Sequence, residues 1–224
     1  MTRIALALIA LLSATAAVAE ERKPVDVALV LALDVSGSVT EDGWRIQRDG
    51  VASAIGSDQF AQAVRRGQIG RVAIAVVQWG TMPRLAIGWR VVETSGETRA
   101  LADEMRGMRR AESGGTCMGT ALKTITAELV AWEDLATRRI IDVSGDGASN
   151  CGLDLAVMRA ATLKAGITIN GLPIVTPVEP KIAEWYADNV IGGPGAFTVV
   201  AKGNHGFAEA FLRKLTVEVA ALVP

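Results

Sequence analysis

The sequence has little of what several classes of protein require. It contains one histidine, His205, and two cysteines in 224 residues. Its 23 lysines and arginines are balanced by 24 aspartates and glutamates, and nucleic-acid-binding proteins need a basic patch instead. After the first nineteen residues, no apolar run approaches the roughly 18 residues of a membrane-spanning helix. We therefore expect no nucleic-acid partner and no transmembrane segment in the mature chain.

The sequence also lacks the commonest catalytic motifs. No Gly-x-Gly-x-x-Gly follows the first apolar run, so no dinucleotide site is predicted. Ser144 lies in Val-Ser-Gly-Asp-Gly, which differs from the Gly-x-Ser-x-Gly of a nucleophile elbow. Hydrolysis at a metal usually needs a general base, often histidine, and His205 is far in sequence from the polar loops described below. These absences predict that the protein is not an enzyme.

The first nineteen residues have the pattern of a secretory signal peptide. Arg3 supplies the positive start, residues 4–12 are apolar, and residues 17–19 (Ala-Val-Ala) form a small-residue cleavage site. Cleavage after Ala19 predicts a secreted or periplasmic protein whose mature domain is residues 20–224. The loss of Arg3 would leave 22 basic and 24 acidic residues, a net charge of −2.

Apolar runs alternate with helical segments along the mature chain. Residues 27–33 are apolar without alternation, which is typical of a strand buried on both faces of a parallel sheet. Further strands are predicted at 71–79, 85–92, 139–143, 167–174 and 197–201. The short link between the second and third strands predicts an antiparallel hairpin, because a parallel neighbour needs a long crossover. The predicted fold is α/β: a doubly wound, mostly parallel six-stranded sheet with one antiparallel edge strand and helices on both faces.

Side chains with oxygen donors gather in three predicted loops. Asp34, Ser36 and Ser38 follow the first strand, Thr116 lies in a Gly-rich loop before a helix, and Asp146 follows the fourth strand. Doubly wound sheets bind ligands beyond the carboxyl ends of their strands. Oxygen donors that are mostly neutral suit Mg²⁺ or Mn²⁺, with Ca²⁺ as a further candidate. The sequence therefore predicts a divalent metal site at this edge of the sheet.

This arrangement resembles the metal-ion-dependent adhesion site of von Willebrand factor type A domains. In that family an Asp-x-Ser-x-Ser follows the first strand, a threonine comes from a later loop, and an Asp-Gly follows the fourth strand. Asp34, Ser36 and Ser38 match the first element, Thr116 the second and Asp146 the third. The resemblance implies that the serines bind the ion directly and that the last aspartate often acts through water.

A tighter resemblance is to an exported bacterial subgroup of this class. Its members carry Ile-Asp-Val-Ser-Gly-Asp-Gly and Val-Ile-Gly-Gly-Pro-Gly-Ala-Phe, which stand here at residues 141–147 and 190–197. The resemblance to this subgroup does not supply a function.

One position departs from the family pattern and leaves an alternative ligand. The family usually has Thr or Ser directly before the third-loop aspartate, where this chain has Gly145. Asp142 lies an even number of positions before Asp146, so the two side chains would point to the same face of an extended strand. Asp142 is therefore a rival third-loop ligand. Its earlier position in the strand favours burial beneath the site, so Asp146 is the preferred candidate.

Two further features accompany the predicted ligand loops. Cys117 and Cys151 each lie a few residues past a proposed ligand, and an even number of cysteines in an oxidising compartment favours a disulfide. Two unpaired buried thiols are the alternative.

Arg109 and Arg110 are predicted to be solvated at a helix end.

The charge of the predicted site indicates a function. A divalent cation that faces only two carboxylates is incompletely neutralised and accepts one more anionic oxygen. The prediction is an exported, metal-dependent protein-binding module for adhesion or assembly, in which an exposed Asp or Glu of a protein partner completes the metal shell. The alternatives are a metal-dependent hydrolase or phosphatase, and a structural scaffold domain whose site is non-functional.

Overall fold

The computed structural model describes residues 23–220 of the chain. The strands are β1 (Val25–Asp34), β2 (Val72–Trp79), β3 (Arg84–Val92), β4 (Ala136–Gly145), β5 (Thr168–Val175) and β6 (Ala201–Lys202). The helices are α1 (Glu41–Ile55), α2 (Asp58–Arg65), α3 (Ser95–Arg106), α4 (Met118–Val130), α5 (Leu155–Lys164), α6 (Ile182–Asn189) and α7 (Phe207–Ala220), with a 3-10 turn at Asn204–Gly206. Within residues 23–220, no helix has both the length and the apolar character that a membrane crossing requires. The predicted signal peptide, residues 1–19, lies outside the described residues.

The six strands form one sheet in the order β3-β2-β1-β4-β5-β6. β1 is parallel to β2 on one side and to β4 on the other, while β3 runs antiparallel to β2 at the edge. The predicted mostly parallel sheet and its antiparallel edge strand are thus confirmed. The strand order reverses between β1 and β4, and such a reversal opens a crevice beyond the carboxyl ends of the two strands. Asp34 and Gly145 are the last residues of these strands.

β1 is buried along its whole length because both faces of the sheet are covered. Leu29, Leu31 and Leu33 point into a core shared with α1, α3 and α7. Val30 and its alternate neighbours point into a second core shared with α4 and α6. Removing a fully buried leucine such as Leu31 by substitution to alanine would cost about 2–5 kcal/mol of stability. This burial explains why the run lacks the apolar–polar alternation of a half-exposed strand.

The loop after β1 passes directly into a capped helix. The Thr40 hydroxyl accepts a hydrogen bond of 3.0 Å from the Gly43 backbone N–H, and Glu41 and Asp42 occupy the first turn of α1. Both features stabilise the positive end of a helix. The cap fixes the point at which the 34–39 loop must end.

β6 is shorter than the prediction of residues 197–201. The segment before Ala201–Lys202 still follows β5, because Gly171 N–H donates to the Phe197 carbonyl and Val199 N–H donates to the Gly171 carbonyl, both at 3.1 Å. The Phe197 N–H, however, donates to the Asn170 side-chain Oδ1 at 3.1 Å. A side chain thus replaces a strand carbonyl as acceptor, so only two residues keep the regular ladder.

Candidate metal centre

The three predicted ligand loops meet at the carboxyl ends of β1 and β4. Ser36 Oγ and Ser38 Oγ lie 3.2 Å apart, and Ser38 Oγ donates to Asp146 Oδ1 at 2.5 Å. A methyl group on Gly147 would lie 3.8 Å from Thr116 Oγ1 and 4.0 Å from Ser38 Oγ, so both hydroxyls face the same small space. The structure therefore brings the side chains of these predicted ligands together.

Asp34 is fully buried, as is the predicted ligand Ser36. Its Oδ1 accepts the Ser36 backbone N–H at 2.7 Å, whereas its buried Oδ2 has no hydrogen-bond partner. Burial raises the pKa of Asp34 to about 7, hydrogen bonds from Ser36 oppose this, and the nearby charge of Asp146 adds to it. A divalent cation would give the carboxylate a partner and favour its ionised form. A carboxylate oxygen without a hydrogen-bond partner, next to several hydroxyl groups, is a suitable set of ligands for a hard cation such as Mg²⁺.

Steric crowding explains why this chain has Gly145 where the family that it resembles usually has Thr or Ser. A Cβ atom at this position would lie 2.7 Å from Asp34 Oδ2, 2.7 Å from the Tyr186 hydroxyl and 3.1 Å from the Trp79 ring. Tyr186, from α6, thus fills the space that a Thr or Ser side chain would need. Burial, followed by the charge of Asp34, raises the pKa of Tyr186, so its hydroxyl stays protonated beneath the carboxylate. No pattern in the sequence indicates this role for Tyr186.

Asp142 lies apart from the ligand loops, in a buried cluster against α7. Its Oδ1 is 2.6 Å from Lys214 Nζ, and Lys214 also pairs with Glu218. Asn170 Nδ2 donates to Glu218 Oε1 at 2.8 Å. We call Asp142, Asn170, Lys214 and Glu218 the Lys214 cluster. Because the Asp142 carboxylate is engaged there while Asp146 contacts Ser38, the geometry favours Asp146 as the third-loop candidate.

A disulfide joins the second and third ligand loops. Cys117 and Cys151 are bonded, with an S–S distance of 2.00 Å across a separation of 34 residues, so the predicted pairing is confirmed and the alternative of free thiols is wrong. Two hydrogen bonds between Thr116 and Asn150 support the bond. Thr116 N–H donates to Asn150 Oδ1 at 2.9 Å, and Asn150 N–H donates to the Thr116 carbonyl at 3.0 Å. The loop that carries Thr116 is therefore fixed to the segment that follows Asp146.

Arg110 is a residue of the site that the sequence analysis missed. Its side chain is only 16% exposed, so the prediction of a solvated arginine is wrong at this position. Nη2 donates to the carbonyls of Val35 at 3.2 Å, Ser36 at 3.0 Å and Val39 at 2.5 Å. One guanidinium thus holds the loop that contains the two serines. The contact joins segments 71 to 75 residues apart, and no local pattern reveals it.

The segment that carries Arg110 is itself fixed by β2. Gln78 Nε2 donates to the Arg109 carbonyl at 2.9 Å, and Ala111 N–H donates to Gln78 Oε1 at 2.6 Å. The Arg109 residue is exposed, as predicted. A chain of polar contacts therefore runs from β2 through Arg110 to the loop after β1.

The turn before α7 also lies near the candidate site. Gly203 and Asn204 line the same cavity as Ser38 and Asp146. His205, the single histidine of the sequence, is exposed in the same turn. His205 is therefore closer to the ligand loops in the folded structure than its position in the sequence indicates.

The comparisons with known proteins agree with this architecture. A family model described as "Protein of unknown function (DUF1194)" matches residues 24–223. No curated protein matches the chain. The solved structure of proximal thread matrix protein 1 from the mussel byssus, with a zinc-occupied MIDAS motif, superposes with a TM-score of 0.63 at 17% identity, covering 88% of this chain and 48% of that chain. This chain thus spans about half the length of the mussel protein.

Two bacterial structures have the same fold. A von Willebrand factor type A protein from Catenulispora acidiphila has a TM-score of 0.59 at 18% identity, covering 88% of this chain and 43% of that chain. The von Willebrand factor domain of the type V pili tip protein Mfa5 from Porphyromonas gingivalis has a TM-score of 0.62 at 10% identity, covering 91% of this chain and 98% of that chain. Together with the family match, these likenesses establish that the protein belongs to the DUF1194 family and has the von Willebrand factor type A fold.

Proposed function

We propose that this protein is an exported protein-binding module that uses a divalent cation to bind its partner. Asp34, Ser36, Ser38, Thr116 and Asp146 would hold the ion, which is Mg²⁺ or Mn²⁺, with Ca²⁺ as a further candidate. The observation that carries the proposal is the buried Asp34 Oδ2, which has no hydrogen-bond partner although it belongs to this cluster of oxygen donors. A buried carboxylate oxygen without a partner is costly, and a bound cation removes that cost.

The ligand set explains why a partner would bind. Three of the five side chains are neutral hydroxyls, which contribute oxygen atoms without neutralising the ion. Asp34 and Asp146 together supply two negative charges, and in the family that the site resembles the last aspartate, here Asp146, often acts through water. The bound ion supplies a Lewis-acidic position for one further anionic oxygen. An exposed Asp or Glu of a protein partner is the group that matches this position.

The surrounding residues order the site before the ion arrives. Arg110 holds the loop after β1, and the Cys117–Cys151 disulfide holds the second loop against the third. Loops that are already ordered lose less conformational entropy on binding. This arrangement favours a stable binding surface, which is consistent with an adhesion or assembly module.

The comparisons support the binding role and the location in general terms. The neighbours include a matrix protein of the mussel byssus and a pilus tip domain, and such proteins act outside the cell. The signal-peptide pattern of residues 1–19 adds an independent argument for export.

Isothermal titration calorimetry with Mg²⁺ tests the metal site. We expect one divalent site in the wild type and none in Asp34→Asn, which keeps the side-chain shape but removes the charge. Asp142→Asn is the matched control, because Asp142 is also a buried aspartate of the sheet but lies in the Lys214 cluster. Equal Mg²⁺ binding by the wild type and Asp34→Asn would contradict the proposal.

A second experiment tests the binding role against hydrolysis. A partner captured from the native compartment in Mg²⁺ should be released by a chelator, and Asp34→Asn should fail to capture it. Moderate salt should release the partner only in part, since a direct metal–carboxylate bond is screened less than an exposed ion pair. Metal-dependent turnover of phosphoester or ester substrates would instead assign the site to a hydrolase.

A further inference from the structure

A cavity of about 510 Å³ lies directly beside the proposed metal site. Ser38 and Asp146 line both the cavity and the cluster of candidate ligands. The remaining walls come from the first turns of α1, the loop between β5 and α6, and the turn before α7. The volume lies within the roughly 300–1,000 Å³ of typical ligand pockets. A partner that places a carboxylate on the ion would therefore place its neighbouring groups over this cavity.

Gln47 gives the cavity a polar group in need of a partner. The residue lies on α1, is only 1% exposed and lines the cavity. Its Oε1 is buried and has no hydrogen-bond partner. Buried amide oxygens in proteins are nearly always hydrogen-bonded, because an unpaired one loses its solvation without compensation. A group with an N–H donor that enters the cavity beside Gln47 would give this oxygen the partner it lacks.

The charge of the lining selects the kind of donor. The charged residues that line the cavity are Asp146 and Glu179, both acidic. Asp146 is a candidate ligand of the ion, which leaves the exposed carboxylate of Glu179 for a partner. A buried amide oxygen and a carboxylate at the edge of one cavity favour a cationic donor over a neutral one.

The walls between these polar groups are apolar. Val39, Pro177 and Val178 contribute to the lining, and Val178 is 85% exposed. An apolar wall suits the hydrocarbon stem of a long side chain whose charged end reaches a polar group. Arginine has such a stem and a planar fork of five N–H donors, which can serve two acceptors at once.

We propose that this cavity binds an arginine side chain of the protein partner, with the guanidinium shared between Gln47 Oε1 and the Glu179 carboxylate. The partner surface would then present an acidic residue to the ion and an arginine to the cavity. The assignment of both groups to one partner rests on the proposed function. The affinity of the cavity for a guanidinium does not require the ion.

Titration of small probes into the ¹⁵N-labelled protein in the presence of a chelator tests the inference. The probes are N-acetyl-arginine amide and N-acetyl-citrulline amide, which have the same shape but differ in charge. We expect the arginine compound to bind at least about tenfold more tightly, and to shift the backbone amides of Val39 and Val178. Equal affinity of the two compounds would overturn the proposal.

Three variants locate the binding. Gln47→Met removes the acceptor at similar length, and Glu179→Gln removes the charge of an exposed side chain. Each substitution should lower the affinity for the arginine compound several-fold. Glu184→Gln changes an exposed residue on α6 outside the cavity and should leave this affinity unchanged. If both Gln47→Met and Glu179→Gln bind like the wild type, the cavity is not the guanidinium site. Because a chelator is present, these outcomes are independent of whether Mg²⁺ binds at Asp34.

Discussion

Ser38 Oγ donates to Asp146 Oδ1 at 2.5 Å, although 108 residues separate them in the sequence. The contact joins the loop after β1 to the loop after β4, at the point where the strand order of the sheet reverses. A hydroxyl and a carboxylate that already touch need little rearrangement to bind one cation together. If these loops form one metal-binding unit, a substitution in any of them changes the affinity for Mg²⁺.

Thr116→Ala should weaken Mg²⁺ binding by at least about tenfold, because one neutral ligand is lost. The stability of the fold should change little, since the contacts of Thr116 with Asn150 use the backbone N–H and carbonyl of Thr116. Calorimetry and thermal unfolding measure the two effects. Thr124→Ala, an exposed threonine on α4, is the control. Unchanged Mg²⁺ affinity would remove Thr116 from the ligand set.

Arg110→Lys should weaken Mg²⁺ binding several-fold and lower the free energy of unfolding by about 1–3 kcal/mol. A lysine ammonium cannot reproduce the planar guanidinium that contacts the carbonyls of Val35, Ser36 and Val39. Calorimetry and urea unfolding measure both changes. The control is Arg109→Lys, because Arg109 contacts Gln78 through its backbone carbonyl. Equal effects of the two substitutions would contradict the role of Arg110.

Replacing both Cys117 and Cys151 by serine should lower the free energy of unfolding by about 4 kcal/mol in the chain-entropy model. The bond closes a loop across 34 residues, so its loss enlarges the unfolded ensemble. Metal affinity should fall as well, because the loop of Thr116 is no longer tied to the third loop. Urea unfolding measures the first effect. A reductant should destabilise the wild type by a similar amount and leave the double variant unaffected.

Gly145→Ala should destabilise the protein by about 1–3 kcal/mol, since its methyl group would lie 2.7 Å from both Asp34 Oδ2 and the Tyr186 hydroxyl. Adding Tyr186→Phe should restore part of the stability by removing one of these contacts. Gly147→Ala is the matched control, because its methyl group would meet only ordinary contacts at 3.8 and 4.0 Å. Urea unfolding of the three proteins tests the prediction, which fails if both glycine substitutions have the same effect.

The stability of the metal-free protein should depend on pH through Asp142. Burial, with the charge of Glu218, raises the pKa of Asp142 from 3.8 to about 7, although the Lys214 ammonium opposes the shift. The folded state therefore keeps a proton that the unfolded state releases near pH 4, so this contribution to stability is lost as the pH rises from about 4 to 7.

Urea unfolding at pH 5 and pH 8 in a chelator measures the effect. The wild type should lose about 2–3 kcal/mol more than Asp142→Asn over this range, because the asparagine has no proton to lose. Both proteins retain Asp34, whose raised pKa affects them equally. An identical pH dependence of the two proteins would show that Asp142 stays ionised throughout.

The sequence by itself determined the sheet and the location of the three polar loops. The apolar run of β1 has no alternation because both of its faces are covered, and the short link before β3 permits only an antiparallel neighbour. Asp34 and Asp146 could be placed at strand ends because the polarity of the chain changes abruptly there. These features depend on residues close together in the sequence, so a local pattern reveals them.

The tertiary structure alone decided which distant groups meet. It placed Asp142 against Lys214 instead of in the ligand loops, and it turned Arg110 inward to the loop after β1. It also explained Gly145 by the position of Tyr186. Each of these contacts joins segments that come together only when the helices pack on the sheet, and periodicity and composition carry no information about which side chain then fills a given space.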